Sequence, residues 1–142
     1  MTAILGLGLA QATTTPYGMV DPIPSEQSTG YEIYIERCAT CHVALPPALL
    51  PTQTWQTLVM DPAHYGVTLP VIDRFDQQLM LNYLQVYSRR HRGRGVLPYR
   101  LNDSVYFQAL HPAVELPQSL NVRSCAGCHI GAPEQDYSGA FE

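Results

Sequence analysis

Apolar residues recur at helical spacing in several stretches of this chain. The first predicted helix begins at Thr29, because Thr29 and Glu32 form the pattern of a capping box. The apolar face of this helix has helical periodicity and comprises Tyr31, Tyr34, Ile35 and Cys38. A second, shorter helix is predicted from Thr52, a candidate cap, to Met60.

The longest helical pattern runs from Asp73 to about Arg90, and the glycines at 93 and 95 are expected to end it. Its predicted apolar side comprises Phe75, Leu79, Tyr83, Val86 and Tyr87. A helical turn is predicted around Asp103–Leu110, and a last brief helix leads to Cys125. Twelve prolines and ten glycines interrupt regular structure. No stretch predicts a strand or a β-hairpin turn, so the predicted fold class is all-α with extensive coil.

The charge balance argues against one class of partner. The formal net charge is −4, and all eight basic residues are arginine. Because nucleic-acid binding requires a clear basic excess, we expect no nucleic-acid partner. The basic segment Arg89–Arg94 is predicted at the C-terminus of the longest helix, where the helix dipole favours cations.

All four cysteines belong to two copies of one motif. The segments 38–42 and 125–129 both have the pattern Cys-x-x-Cys-His, which is the attachment signature of c-type haem. Two thiols on one turn of helix reach the two vinyl groups of a porphyrin, and the adjacent imidazole binds the iron. The predicted attachment residues are Cys38, Cys41, Cys125 and Cys128, and the predicted proximal iron ligands are His42 and His129.

Two other uses of the cysteines fit the sequence less well. A single zinc site built from both pairs normally has about 15–20 residues between them, and the separation between His42 and Cys125 is far longer. Dithiol redox motifs usually occur near a βαβ pattern, and no strand pattern is present. We therefore interpret both motifs as haem attachment sites.

The ligand position on each iron opposite the motif histidine decides function. If a side chain fills this position, the iron is suited to electron transfer. If the position is open, the iron is suited to ligand binding or catalysis. The candidates are His64, His91, His111, Met19, Met60 and Met80. Met60 and Met80 lie in apolar patterns typical of core, and His91 is interpreted as a solvated residue among arginines. His64 and His111 lie on loops marked by prolines. For each of these two, an ordinary loop histidine is an equal interpretation from the residues alone.

From Cys38 to the end, the chain resembles the small dihaem cytochromes c of bacteria, which are exported electron carriers. The resemblance rests on CATCHVALPPALLP at 38–51, followed by Trp55, and on His64-Tyr65-Gly66. It continues with PYRL at 98–101, His111, and CAGCHIGA at 125–132. The resemblance implies two covalently bound haem c groups with small cytochrome-like helices packed around them. It also implies histidine on both sides of each iron, with His64 and His111 as the distal ligands.

Pairing by proximity joins His42 to His64 and His111 to His129, although spacing alone also allows the crossed arrangement. With both positions filled, we expect an electron carrier rather than an enzyme. Its haems should have low potential, since imidazole replaces the thioether that raises it. The alternative is a haem enzyme or ligand-binding protein, of peroxidase or oxide-reductase type, with one open haem.

Partners are expected among other redox proteins that dock at an exposed haem edge. The resemblance suggests a membrane quinol-linked cytochrome on one side and a small monohaem cytochrome on the other. We expect Trp55 and the tyrosines to pack against the porphyrins. Three interpretations of the arginine segment remain open: a solvated helix end, pairing with haem propionates, and steering of an acidic partner.

The first residues resemble the end of a secretory signal. The apolar run Ile4–Ala10 ends in an Ala-Gln-Ala cleavage pattern and is shorter than the roughly 20 apolar residues of a membrane span. We divide the chain into a signal-like stretch 1–12, an extended arm 13–27, a first haem region 28–95 and a second haem region 96–142. We expect an exported protein, in a periplasm or equivalent lumenal compartment, that is not an integral membrane protein.

Overall fold

The computed structural model describes residues 22–138. Its helices are α1 (Ser25–Cys38), α2 (Thr52–Met60), α3 (Arg74–Tyr87), α4 (Val105–Leu110) and α5 (Cys125–Cys128). Single 3₁₀ turns lie at Pro47–Leu49, Leu101–Asp103 and Ala132–Glu134, and a hairpin is formed by β1 (Ala63–His64) and β2 (Val67–Thr68). The predicted all-α class with extensive coil is confirmed, since each strand is only two residues long. The signal-like stretch 1–12, Met19 and most of the arm lie outside the described residues.

Helix α1 begins at Ser25, earlier than the predicted Thr29, so residues 25–27 of the predicted arm are helical. Pro24 occupies the N-cap position with φ of −68°, the backbone angle that proline fixes and that leads readily into a helix. No side chain caps this end, so the predicted capping box is not formed. The helix ends at Cys38 and therefore positions the first cysteine.

Helix α1 packs against α3, and Gly30 makes the close approach. A Cβ atom at Gly30 would lie 2.9 Å from the Cβ of Tyr83 and 3.1 Å from the carbonyl carbon of Leu79. These distances are shorter than ordinary van der Waals contact, so only glycine lets the two backbones come this close. The buried residues of α3 are Met80, Tyr83 and Leu84.

The buried face of α3 differs from the predicted one. Tyr83 is buried as predicted, but Phe75 and Val86 are 72% and 59% exposed, because α1 approaches α3 at Leu79 and Tyr83. Met80 belongs to the core as predicted. Met60 is 65% exposed at the end of α2, so its prediction as core is wrong.

Helix α3 ends at Tyr87, and the arginine segment is a separate loop. Ser88 is extended (φ −110°, ψ 169°), and Arg89 forms a parallel bridge with Pro51 in which the N–H of Thr52 donates to the Arg89 carbonyl at 3.0 Å. The hydroxyls of Thr52 and Ser88 are 2.8 Å apart, so Thr52 contacts Ser88 rather than capping α2. This pairing, and not the glycines at 93 and 95, ends the helix and removes the arginines from its C-terminus.

One hydrophobic cluster joins the two predicted haem regions. Its members come from both regions and include Tyr34, Trp55, Leu101 and Phe107. Polar contacts add to it, because Gln135 Nε2 and the Tyr137 hydroxyl both donate to the Ala44 carbonyl at 2.9 Å. The two regions therefore share a single core.

Candidate functional site

His64 lies at the end of β1, in a tight hairpin that pairs it with Val67. Tyr65 and Gly66 form the turn with φ of 50° and 89°, and positive φ at both central residues is what a type I′ turn requires. The prediction that the chain has no hairpin is therefore wrong. Strands this short leave no alternating pattern in the sequence, and the glycine after Tyr65 was the available signal.

The ring of His64 faces that of His42. The two rings are nearly parallel, at 10°, with centroids 6.3 Å apart. Nδ1 of His42 donates to the Val43 carbonyl at 2.7 Å, which leaves Nε2 with a free lone pair. Nδ1 of His64 is buried and has no hydrogen-bond partner among residues 22–138. Burial, and secondarily the nearby His42, lower the pKa of His64 and so favour the neutral, metal-binding form.

His111 and His129 form a second pair. Their centroids are 6.1 Å apart and their planes cross at 67°. His111 follows the last residue of α4, where Nδ1 donates to the Phe107 carbonyl at 2.9 Å, so its Nε2 is also free to bind a metal. His129 follows α5 directly, and its ring lies 5.6 Å from that of Tyr137.

The spacing within each pair fits two imidazoles on opposite sides of one metal ion. A metal–imidazole bond of about 2 Å, with the ring centre about 1.2 Å beyond the nitrogen, places the two centroids roughly 6.4 Å apart. The observed 6.3 and 6.1 Å agree with that value. The geometry brings together the histidines that proximity in sequence had paired, and not the crossed combination.

The cysteines lie next to these histidines at the ends of helices. Cys38 ends α1 and Cys125 begins α5, and both are partly buried, whereas Cys41 and Cys128 are exposed. Burial raises the pKa of the Cys38 thiol to about 12 and also raises that of Cys125, the reverse of what an activated dithiol needs. Among residues 22–138, no three His, Cys, Asp or Glu side chains form a metal-binding group. The two cysteine pairs are thus not brought together.

Side-chain donors hold the proline-rich loop that follows the first motif. Tyr34 donates its hydroxyl to the Leu45 carbonyl at 2.5 Å, and Trp55 donates Nε1 to the Pro47 carbonyl at 2.8 Å. Trp55 is buried against Tyr34, so its observed contacts are with this loop and the core. The packing of Trp55 on a porphyrin stays a prediction, and the sequence did not indicate these hydrogen bonds to backbone carbonyls.

Three residues beside His64 were not assigned a role together from the sequence. Tyr65 contacts His64 edge-on at 4.9 Å and Tyr99 at 4.8 Å, and its hydroxyl donates to the Tyr99 carbonyl. The Arg100 guanidinium lies 5.8 Å from the centre of the Tyr65 ring. The strings HYG and PYRL contain these residues, but nothing in either string indicates that they meet.

A sequence model of the dihaem cytochrome c family matches residues 34–137. This chain belongs to the dihaem cytochrome c family. Among solved structures, it is similar to a dihaem cytochrome c from Rhodobacter sphaeroides, with 27% identity, a TM-score of 0.58, and coverage of 78% of this chain and 95% of that one. A crystal structure of DHC purified from Rhodobacter sphaeroides is 28% identical, with a TM-score of 0.56 and coverage of 75% and 96%. Comparison with curated proteins gives no significant match.

Membership of this family determines the cofactors. The dihaem cytochrome carries two covalently bound haem c groups, and its four cysteines are present for their attachment. The family consists of electron-transfer cytochromes that are typically exported. Within residues 22–138, no helix has the length and apolar character needed to cross a membrane.

Proposed function

We propose that this dihaem cytochrome is a low-potential electron carrier in which two histidines hold each iron. His42 and His64 bind the first iron, and His129 and His111 bind the second. Thioether bonds attach the haems through Cys38 and Cys41, and through Cys125 and Cys128. The observation that carries the proposal is the separation of 6.3 and 6.1 Å between the paired rings.

The protein's contribution to the chemistry is to fix ligand type and orientation. The haem supplies the one-electron redox change when bound. Hydrogen bonds from Nδ1 to the carbonyls of Val43 and Phe107 hold the rings of His42 and His111 and make their Nε2 atoms better electron donors. Imidazole on both sides lacks the thioether that raises the potential in His/Met cytochromes, so both potentials should be low.

The ring angles distinguish the two irons. Parallel imidazoles, as at 10° for His42 and His64, split the iron orbitals that point between the ligands. Crossed imidazoles, as at 67° for His111 and His129, leave those orbitals nearly equal in energy. The oxidised protein should therefore give two different low-spin signals in paramagnetic resonance, one rhombic and one strongly anisotropic.

Low-temperature paramagnetic resonance of the oxidised holoprotein tests the ligand assignment. His64→Met should change only the rhombic signal, and His111→Met only the anisotropic one. The matched control is His91→Gln, because His91 is the remaining histidine and lies in neither pair; both signals should stay unchanged. A high-spin signal in the wild type, or a loss of either signal in His91→Gln, would refute the assignment.

Carbon monoxide tests the competing function, a haem enzyme or ligand-binding protein with one open iron. We expect no spectral change when it is added to the reduced protein, since both positions on each iron are filled. His64 is the sensitive point, because its Nδ1 has no hydrogen-bond partner among the described residues, and such a partner normally strengthens a metal-bound histidine. Formation of a carbon monoxide adduct at the first haem would favour the ligand-binding function.

We propose redox proteins as partners, with a membrane quinol-linked cytochrome as donor and a small monohaem cytochrome as acceptor in the periplasm or an equivalent lumen. Support for these partners comes from the family resemblance. When the reduced protein is mixed with an oxidised small monohaem cytochrome in a stopped-flow experiment, we expect electron transfer from this protein to the monohaem cytochrome. Failure with every such cytochrome tested would leave the ligand assignment intact and remove this acceptor class.

A further inference from the structure

The loop after α3 and the start of α4 border an open hollow of about 590 Å³. Residues that line it include Arg89, Arg90, His91, Arg92 and Tyr106. In the part of the chain that the structure describes, no carboxylate side chain belongs to this lining. The hollow thus concentrates positive charge in a chain whose formal net charge is −4.

The guanidinium groups of this hollow have no anionic partner among residues 22–138. Within residues 22–138, the ion pair that forms is between Arg37 and Asp76, at 3.4 Å. The side chains of Arg89, Arg90 and Arg92 take part in no hydrogen bond or ion pair with the described residues. Like charges held together repel one another, and an anion placed among them relieves that repulsion.

His91 adds a second, independent sign of a missing partner. It was predicted to be a solvated surface residue, but it is partly buried, and its Nε2 is buried without a hydrogen-bond partner in the described part of the chain. A buried polar nitrogen without a partner is rare in folded proteins. Gly93 flanks the ring, since a Cβ there would lie 3.4 Å from Nε2.

The backbone of the loop that carries these groups is held by hydrogen bonds from neighbouring elements. Gln53 makes two hydrogen bonds of 2.9 Å to the backbone N–H and carbonyl of His91. The Tyr106 hydroxyl donates to the Arg90 carbonyl at 3.5 Å, and the Arg89 carbonyl accepts from the Thr52 N–H. Because the backbone is already ordered, a ligand would not have to offset the entropy of fixing it.

We propose that this hollow is a binding site for a small oxyanion, phosphate or sulfate. Guanidinium groups bind such oxygens through paired, charge-assisted hydrogen bonds, and the His91 side chain forms part of the wall beside them. A concave site with a recessed imidazole suits a compact anion better than the flat face of a protein. None of the four paired histidines is among the residues that line the hollow.

Isothermal titration calorimetry of the folded holoprotein tests the site, with sodium phosphate and sodium sulfate as ligands and sodium chloride at matched ionic strength as reference. We expect saturable binding of one oxyanion per chain. The double variant Arg89→Gln/Arg92→Gln should weaken it by about tenfold or more, because each lost charge-assisted hydrogen bond contributes appreciably. The matched control is Arg123→Gln, an exposed arginine outside the hollow, which should bind as the wild type does.

Three outcomes would overturn the proposal. The first is a chloride response equal to that of phosphate and sulfate, which would indicate general screening. The second is equal weakening by Arg123→Gln and the double variant. The third is no saturable binding of phosphate or sulfate by the wild type. Paramagnetic resonance of the same samples reads the haem ligands separately, so failure of this site and failure of the ligand assignment are distinguishable.

Discussion

Gly30→Ala is a direct perturbation of the contact that positions the first attachment site. Gly30 lies on the buried face of α1, and the new methyl group would meet the Leu79 carbonyl group and the Cβ of Tyr83, the latter at 2.9 Å. Both neighbours are fixed by the α3 backbone, so neither can rotate away. The two helices must move apart, and α1 ends at Cys38.

Two opposing effects determine the size of the change. Alanine is favoured over glycine in a helix by about 1 kcal/mol. Overpacking a close contact costs about 1–3 kcal/mol and occasionally more, and a clash with backbone belongs at the upper end of that range. We therefore expect a net loss of about 2 kcal/mol in the free energy of unfolding.

Urea unfolding of the holoprotein, followed by far-ultraviolet circular dichroism, measures this loss. The control is Gly95→Ala, where a Cβ atom meets nothing within 4 Å, and its stability should change by less than about 0.5 kcal/mol. If Gly30→Ala is as stable as the wild type, or more stable, then α1 and α3 do not approach as closely as described. The reasoning about the placement of Cys38 would fail with it.

Two further changes test the surroundings of the haem sites. Ser104→Ala removes a buried hydroxyl that donates to the Leu49 carbonyl at 2.5 Å and accepts from the Phe107 N–H. Urea unfolding should therefore show a loss of about 1–3 kcal/mol in the free energy of unfolding. No measurable loss would contradict the hydrogen bond to Leu49. Burial raises the pKa of Tyr34 well above its usual value, so the unfolded chain releases this proton near pH 10 while the native chain retains it. The free energy of unfolding should therefore be unchanged by this group below about pH 10 and should decrease as the pH rises above that value. The decrease should be less steep in Tyr34→Phe. Equal slopes in the two proteins would contradict a raised pKa for Tyr34.

Local sequence patterns predicted what depends on local chemistry. Both Cys-x-x-Cys-His motifs were identifiable because the cofactor reacts with residues that are adjacent in the chain. The bounds Thr52–Met60 of α2 were also correct, since Pro51 and the apolar spacing mark them within a few residues. Prolines near His64 and His111 drew attention to those histidines, and the structure brings each beside a motif histidine.

The features that were missed depend on residues far apart in the chain. The end of α3 is set by pairing of Arg89 with Pro51, and no pattern around residue 89 encodes that partner. The buried face of α3 follows from the approach of Gly30 in another helix. The hydrogen bonds from Gln53 that hold His91 link residues 38 positions apart, so the environment of that histidine was not predictable from its neighbours.

The bonds to the Ala44 carbonyl bear on the order in which the protein is assembled. Ala44 follows the first motif closely, yet its partners Gln135 and Tyr137 lie 91 and 93 residues later. A chain is synthesised from its N-terminal end, so this carbonyl is without them until nearly the whole described chain exists. Tyr137 also contacts His129 at 5.6 Å. The segment that contains Gln135 and Tyr137 therefore bonds the loop after the first motif and also contacts the histidine of the second motif, so neither region completes its packing before the other has been made.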